Sequence, residues 1–423
     1  MLNIPDSPHD RIVIIGAGFA GINVAKRLSK KNLQIVLIDK NNYHQFQPLL
    51  YQVAMAGLEP SSIIYPIRKI FQKKKNVHIR ITEVTGIDSE KKTIDTAQGS
   101  IYYDKLIIAS GATTNFFGNK DFEKHTHTLK SLSESLDLRN AILNDLELAL
   151  TQPDYDKRQG YIDIIIVGGG PTGVELAGAL AEMKKYILPK DYPELDKNEV
   201  DIYLFQGGPK LLMGMSEKSS QKALDFLTKM GVKVKLNQRV TEYDGHNVTT
   251  ADGKSIRADK VIWAAGITGN TISGIGADCI EQGNRYKVDS YNQLVGYENI
   301  YAIGDIACMS SEDLPNGHPQ VAQVAIQQGI RLSKNLISDR PTSFQYKDYG
   351  TMATIGRNKA VADIFKIKTA GFFAWVIWLF VHVMSLIGFK NKIFVMINWF
   401  WNYMFYDQSL RVIITADNKK SLD

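Results

Sequence analysis

The order of apolar and polar segments predicts a strand, a tight turn, a helix and a second strand between residues 11 and 39. Residues 12–15 are apolar and β-branched, as in the buried strand of a parallel sheet. Glycines dominate the turn at residues 16–21, and the second apolar run, residues 35–38, ends in Asp39. This order and spacing are typical of a dinucleotide-binding unit.

Each feature of this unit suits a bound dinucleotide. Gly16 allows the tight turn, Gly18 lets a pyrophosphate approach the backbone, and Gly21 lets the helix pack closely on the sheet. The helix N-terminus offers free N–H groups to the phosphates. Asp39, with Lys40 behind it, stands where a carboxylate binds a ribose. The alternative is an ordinary α/β unit with a glycine-rich turn, but such a unit needs no acid at this distance.

The same pattern occurs a second time in the chain. Apolar residues 162–167 precede Gly168, Gly170 and Gly173, a helix follows, and residues 200–205 form the next strand. Two such sites indicate two nucleotides, and hydride transfer between them is the usual reason to hold both. The pattern therefore predicts an α/β flavoprotein with two Rossmann-like dinucleotide-binding domains in a glutathione-reductase-like architecture.

Three further predicted strands, at residues 104–112, 260–266 and 299–305, end in small or acidic residues. Small residues at a strand end let the backbone lie close to a cofactor or to another segment. An acid that faces a flavin can bond the ribityl chain. The residues concerned are Ala109, Gly111, Gly266, Gly304 and Asp305.

Two polar segments have more than one interpretation. Residues 43–52 predict an aromatic and polar loop, in which Pro48 cannot continue a strand. The loop either covers a flavin or packs on the sheet edge.

Gln323 and Gln327 lie four residues apart and share one face of a predicted helix. Paired amides can bond carbonyl oxygens in either redox state, although the residues alone favour an ordinary polar helix face.

Composition narrows the class of protein. The chain has 423 residues, 44% of them hydrophobic, so two to three domains are expected. The 50 Lys and Arg against 44 Asp and Glu give a net charge of +6, and we expect no nucleic-acid partner. Only Cys279 and Cys308 are present, which excludes a disulfide framework and a redox-active dithiol. No metal site is predicted, and the N-terminus lacks the apolar segment of a signal peptide.

The C-terminal region, residues 371–405, is the most apolar part of the chain. Residues 371–388 carry no charge and reach the threshold length for spanning a bilayer, and residues 393–405 form a shorter run rich in Trp and Tyr. Aromatic residues with flanking lysines suit a membrane interface. Hydropathy leaves a single spanning helix open, and a buried core or dimer contact is the other alternative.

Taken together, these motifs make the chain resemble the type II NADH:quinone oxidoreductases, the single-subunit, non-pumping respiratory dehydrogenases. The quinone-site pattern A-Q-x-A-x-Q occurs at residues 322–327. The P-L-L-Y-Q segment at residues 48–52 and the Y-A-I-G-D segment at residues 301–305 also look like this family. The resemblance runs from the first strand nearly to the C-terminus.

The resemblance implies roles for the predicted site residues. The first glycine turn and Asp39 would hold FAD non-covalently, with Asp305 near its ribityl chain, and the second glycine turn would bind NADH. Gln323 and Gln327 would contact the quinone, and Glu175 would lie near the nicotinamide and the exit of protons. For Glu175 the alternative is a carboxylate in the first turn of a helix, which complements the helix dipole.

One position departs from the family pattern. Gln206 ends the strand at which an NADH-specific site commonly has a carboxylate. A carboxylate repels the 2′-phosphate of NADPH, whereas a neutral amide does not. We therefore expect a weakened preference for NADH, with NADPH as an alternative substrate and Lys210 as the candidate partner of its phosphate.

The expected organisation inserts the second nucleotide domain into the first. Residues 1–120 and 288–365 would form the FAD domain, residues 121–287 the NAD(P)H domain, and residues 366–423 a membrane-anchoring region. The resemblance favours two segments that lie in one leaflet at the cytoplasmic face of the cell membrane, where a lipid-soluble quinone enters. A homodimer and the kind of quinone are left open.

Three other functions share parts of this pattern. Sulfide:quinone oxidoreductase has the same architecture, but it works through cysteines beside the flavin. A reductase of a soluble iron–sulfur protein would leave the apolar C-terminus without a role. A membrane-bound NADH sensor or scaffold would differ in lacking quinone-dependent NADH oxidation.

Overall fold

Residues 3–405 and 410–414 are described by a computed structural model and divide into two units. The first unit contains Met1–Gln45, Tyr65–Thr113 and Ile267–Asp348, and the second contains Phe46–Ile64, Thr114–Gly266 and Tyr349–Asp423. These limits differ from the predicted domain limits, and the C-terminal region falls within the second unit. Which nucleotide each unit binds stays a prediction.

A five-stranded parallel sheet forms the centre of the first unit. Its strand order is Ile300–Ala302, Lys105–Ile108, Arg11–Ile15, Gln34–Asp39 and Val77–Ile81. Consecutive residues of the two inner apolar strands are buried, because both faces of the sheet are covered. Around this sheet the unit has the strands Tyr43–Gln45, Val84–Asp88, Thr93–Thr96, Gly99–Tyr102, Ile267–Gly269, Ile280–Glu281, Arg285–Lys287 and Ala307–Cys308, and the helices Phe19–Leu28, Ile67–Ile70 and Ala322–Asn335.

A four-stranded parallel sheet forms the centre of the second unit, in the order Lys233–Leu236, Ile202–Gln206, Ile164–Val167 and Lys260–Trp263. The predicted pair of parallel, Rossmann-like sheets is therefore confirmed. The helices of this unit are Leu50–Ala54, Pro60–Ile63, Lys120–His125, Leu132–Thr151, Tyr155–Ile162, Pro171–Tyr186, Leu188–Asp191, Glu217–Lys229, Phe372–Ser385 and Phe389–Phe405. Its antiparallel strands are Val240–Tyr243, Asn247–Thr250, Ser255–Arg257, Thr351–Gly356, Lys359–Ile364 and Ile367–Ala370. Two short strands, Ile64–Pro66 and Ala112–Thr114, contain unit boundaries.

The two apolar C-terminal runs form the helices Phe372–Ser385 and Phe389–Phe405, here called the C-terminal helices. The first of them packs on an antiparallel sheet, where the small side chain of Ala374 is buried with Ala360 and Ala362. Among the residues that the structure describes, no helix combines the length and the apolar character needed to cross a membrane.

The loop predicted at residues 43–52 is wrong. This segment contains the strand Tyr43–Gln45 and the 3₁₀ turn Gln47–Leu49, and it ends in the helix Leu50–Ala54. Pro48 lies in the first turn, where its fixed φ suits a helix and its missing N–H costs nothing. The helix forms because its apolar side chains are buried.

Candidate active site

The first glycine turn brings two strand ends together. Gly16 has φ +101°, and its N–H donates to the Ile38 carbonyl at 2.7 Å. A Cβ on Gly16 would lie 2.2 Å from the Ala109 carbonyl oxygen, and one on Gly21 would lie 1.8 Å from the Gly16 carbonyl oxygen. Side chains at these positions would therefore force the strand and the helix apart. A Cβ on Gly18 would meet nothing within 4 Å, which leaves its backbone open to a ligand.

Asp39 holds the backbone on both sides of this turn. One carboxylate oxygen accepts the Ala17 N–H and the other accepts the Asn41 N–H, each at 2.7 Å. Burial raises the pKa of this carboxyl, while the two backbone bonds and exposed Lys40 favour the charged form. These two hydrogen bonds orient the Asp39 carboxylate, the group predicted to bind the ribose.

Gly304 and Asp305 lie in the 3₁₀ turn Gly304–Ile306, just after the strand Ile300–Ala302. Gly304 has φ +77°, and its N–H donates to Gln328 Oε1 at 2.7 Å. Gln328 is 1% exposed, and the sequence reasoning missed it because it chose the neighbouring Gln327 from the motif. Gly111 also has positive φ, +71°, and a Cβ there would meet nothing within 4 Å.

Gln323 and Gln327 lie one turn apart in the helix Ala322–Asn335, and both are partly buried. The Gln327 amide is engaged with the main chain of Lys347. Its Nε2 donates to the Lys347 carbonyl at 2.8 Å, and its Oε1 accepts the Lys347 N–H at 3.0 Å. Gln327 therefore fixes the segment that follows this helix, and contact of either amide with a quinone stays a prediction.

The second glycine turn repeats the geometry of the first. Gly168 has φ +116°, and a Cβ there would lie 2.3 Å from the Ala264 carbonyl oxygen. A Cβ on Gly173 would lie 1.9 Å from the Gly168 carbonyl oxygen, whereas one on Gly170 would meet nothing within 4 Å. Gly266 ends the adjacent segment, and a Cβ there would lie 3.1 Å from the Phe117 ring.

Gln206 occupies the position that Asp39 has in the first turn. Its Oε1 accepts the Gly169 N–H at 2.9 Å. The amide oxygen thus replaces one carboxylate oxygen without bringing a negative charge. Both turns lead into helices whose N-caps, Gly18 and Gly170, have no side-chain cap, and neither helix has an acid in its first turn. Both therefore fit a bound diphosphate.

Glu175 lies in the second turn of the helix Pro171–Tyr186, so the alternative of a first-turn carboxylate is wrong. It is 8% exposed, and the Thr354 N–H lies 3.4 Å from its Oε1. Burial raises the pKa of Glu175 to about 8, although the Thr354 N–H and the Trp378 indole favour the charged form. This shift favours the protonated form of the side chain at neutral pH.

Glu175 lines a cavity of about 140 Å³ within the second unit. Residues from the helix Leu50–Ala54, from the strand Thr351–Gly356 and from both C-terminal helices complete its wall. The polar and aromatic lining includes Tyr51, Gln52, Glu182, Arg357, Trp375, Trp378, Trp399 and Tyr403. A flat, partly polar molecule is the kind of ligand that such a wall suits.

The second carboxyl in this cavity, Glu182, was missed by the sequence reasoning. Its Oε1 accepts the Arg357 N–H at 2.5 Å. Burial raises the pKa of Glu182, while this bond and the charge of Lys359 oppose the shift. Glu175 and Glu182 are seven residues apart in one helix, and this spacing, which places both on one face, could have identified Glu182.

Contacts of the C-terminal helices shape the cavity. The Trp399 indole donates to Gln52 Oε1 at 2.7 Å, and Gln52 Nε2 donates to the Tyr51 hydroxyl at 2.7 Å. The Arg357 guanidinium lies 3.9 Å from the centre of the Tyr403 ring. The P-L-L-Y-Q segment thus contacts the apolar C-terminus directly.

Comparison with known proteins shows to which protein family the chain is related. Residues 10–329 match the pyridine nucleotide-disulphide oxidoreductase family, and residues 349–406 match the NDH2 C-terminal domain. The type II NADH:quinone oxidoreductase Ndh of Mycobacterium tuberculosis is 35% identical over 412 residues, covering 92% of this chain and 87% of the relative. The chain belongs to the type II NADH:quinone oxidoreductase family.

More distant proteins are also similar to the chain. The type II NADH:quinone oxidoreductase of Staphylococcus aureus is 28% identical over 372 residues, covering 85% of this chain and 91% of the relative. The solved structure of NDH2 from Plasmodium falciparum in complex with NADH covers 96% of this chain and 100% of its own, with a TM-score of 0.88 and 22% identity. The sulfide:quinone oxidoreductase of Aquifex aeolicus has a TM-score of 0.73 and 18% identity, with coverage of 94% and 96%. At these identities the two structures establish a shared fold, and the family implies FAD for this oxidoreductase.

Proposed function

We propose that the enzyme oxidises NADH by hydride transfer to a non-covalently bound FAD and reduces a membrane quinone without pumping protons. The observation that carries the quinone half of this proposal is the cavity around Glu175. Quinone reduction consumes two protons, and a buried carboxyl with a pKa of about 8 supplies one at neutral pH. The rings of Trp375 and Tyr403 and the Arg357 guanidinium suit the flat face of a quinone.

The two glycine turns are proposed to bind different nucleotides. In the first unit, FAD would be held by Gly16, Gly18, Gly21, Asp39, Lys40, Ala109, Gly111, Gly304 and Asp305. FAD accepts a hydride when bound and can release the electrons to a quinone. In the second unit, NADH would be held by Gly168, Gly170, Gly173, Gln206 and Gly266. Independently of the Glu175 cavity, the family motif supports a contact of Gln323 and Gln327 with the quinone carbonyls.

The C-terminal helices are proposed to lie in one leaflet at the cytoplasmic face of the cell membrane. Their outer surface is strongly apolar: Phe373 is 75% exposed, Phe389 is 78% exposed and Phe400 is 64% exposed. An exposed patch of this kind is a typical membrane contact. Because residues of both helices line the Glu175 cavity, a quinone dissolved in the lipid would have a short path to it.

NADPH is proposed as an alternative hydride donor, because Gln206 brings no negative charge to the strand end.

The whole proposal is tested by an anaerobic experiment. NADH, and separately NADPH, is added to detergent-purified holoenzyme, the flavin absorbance is followed, and a soluble quinone is then added. Bleaching by NADH followed by recovery on quinone is expected. Bleaching without recovery would refute the quinone step, and no bleaching would favour a sensor over an enzyme.

The membrane contact has its own test. Phe380→Gln and Phe400→Gln should together weaken sedimentation with anionic lipid vesicles, because each removes an exposed ring from the C-terminal helices. Leu148→Gln is the matched control, since it changes an exposed apolar residue on the helix Leu132–Thr151. Equal sedimentation of the double variant and the control would contradict the proposed surface.

A further inference from the structure

The loop after the strand Ile202–Gln206 differs from its counterpart in the first unit in one physical respect. Asp39 has two acceptor oxygens, and they hold the N–H groups of Ala17 and Asn41. Gln206 has a single amide oxygen, which the Gly169 N–H occupies. Gly208 lies two residues after Gln206, just as Asn41 lies two residues after Asp39. Because Gln206 has no second oxygen, it cannot accept a hydrogen bond from the Gly208 N–H as Asp39 does from the Asn41 N–H.

The backbone of this loop is open to an anion. Within residues 3–405 and 410–414, no group accepts a hydrogen bond from the N–H of Gly207 or Gly208. Gly207 is exposed, and the Gln206 side chain beside them is neutral. Two successive backbone N–H groups that have no acceptor can both donate to a bound anion.

The neighbouring strand adds a cation at the same place. Arg239 follows the strand Lys233–Leu236, which pairs with Ile202–Gln206. Its carbonyl accepts the Ala251 N–H at 2.9 Å, which fixes its backbone, and its Nε lies 4.0 Å from the position that a Cβ on Gly207 would take. Arg239 is exposed, and no described residue forms an ion pair with its guanidinium.

Two other charged groups nearby are already paired. The Lys210 ammonium lies 3.1 Å from a Glu217 carboxylate oxygen and donates to the Met215 carbonyl. Asp252, whose carboxylate accepts from the Gln238 amide, is paired with Lys254 at 2.7 Å. Arg239 is therefore a better partner for an incoming anion than Lys210, the residue chosen from the sequence.

We propose that Arg239 and the N–H groups of Gly207 and Gly208 form a subsite for a phosphate monoester, the 2′-phosphate on the adenosine ribose of NADPH. The inference rests on the proposed binding of the nicotinamide nucleotide at the second glycine turn. In such sites the ribose lies at the end of the second strand, where an arginine receives a 2′-phosphate. A guanidinium and backbone N–H groups are strong donors to a phosphate dianion.

The test uses two ligands that differ only in this phosphate, adenosine 2′,5′-bisphosphate and AMP, titrated calorimetrically into the holoenzyme. Arg239→Ala should weaken the bisphosphate about tenfold or more and AMP much less, since a hydrogen bond to a charged group contributes about 1.5–3 kcal/mol. Gln206→Glu should also weaken the bisphosphate selectively. Lys235→Ala removes an exposed charge from the same strand as a control and should change neither affinity.

Equal binding of the bisphosphate by Arg239→Ala and the unaltered enzyme would overturn the subsite. An equal loss of both ligands would also overturn it, because Arg239 would then act on the adenosine or on the fold. Quinone-dependent NADH oxidation by the unaltered enzyme is measured in parallel. Its absence, with selective loss of the bisphosphate in Arg239→Ala, would refute the proposed function and leave the subsite standing.

Discussion

Replacing Glu175 by Gln tests whether this buried carboxyl holds a proton in the folded protein. The pKa of an unperturbed glutamate is 4.5, and burial raises the pKa of Glu175 to about 8. Between these values the unfolded chain releases the proton while the folded chain retains it. The folded state therefore loses stability as the pH rises from 4.5 to about 8, and the loss is complete above the folded pKa.

The size of the effect follows from the shift. One pKa unit corresponds to about 1.36 kcal/mol, so Glu175 lowers the stability above pH 8 by about 5 kcal/mol relative to pH 4. Between pH 5 and pH 7 the change is about 2.7 kcal/mol. Gln is neutral at every pH and keeps an oxygen for the Thr354 N–H. The stability of Glu175→Gln relative to the unaltered protein should therefore rise with pH by these amounts.

Urea unfolding at pH 5 to 9, followed by tryptophan fluorescence, measures this difference, because Trp375, Trp378 and Trp399 line the Glu175 cavity. Glu194→Gln is the control, since it removes an exposed carboxylate that water solvates in both states. Infrared difference spectra add a direct readout, a protonated carboxyl band at pH 7 that Glu175→Gln lacks. A stability difference that does not change between pH 5 and 8, with no such band, would refute the reasoning.

Three further changes test the packing and the buried polar groups. Burial raises the pKa of Asp163 to about 7, so Asp163→Asn should become more stable relative to the unaltered protein as the pH rises from about 4 to 7, and urea midpoints at pH 5 and 8 would show this. Gly178→Ala should destabilise the folded protein by about 2 kcal/mol or more, because the new Cβ would lie 1.8 Å from the Ile355 carbonyl oxygen. This cost outweighs the better helix propensity of Ala. An unchanged urea midpoint would contradict the close approach. Gln328→Leu should cost about 1–3 kcal/mol and speed hydrogen exchange at the Gly304 N–H, which loses its acceptor, and slow exchange in the variant would contradict the bond.

The family and the parallel sheets could be predicted because their signals are local. Glycines such as Gly16 and Gly168 are needed by the backbone of one turn, and the apolar strands carry their own pattern. The loop predicted at residues 43–52 is wrong because burial depends on distant segments. A strand does end before Pro48, as predicted, but the burial of the following apolar side chains makes Pro48 the start of a short helix.

The sequence by itself determined the two glycine turns, the acid and the amide that end their strands, and the apolar C-terminal runs. All of these depend on contacts between residues close in the chain or on simple periodicity. Only the tertiary structure decided the pKa of Glu175, the presence of Glu182 in the same cavity, and the position of Arg239 beside Gly207. Burial and electrostatic environment depend on which distant segments surround a group, and that information is not carried by the residue or its neighbours in the chain.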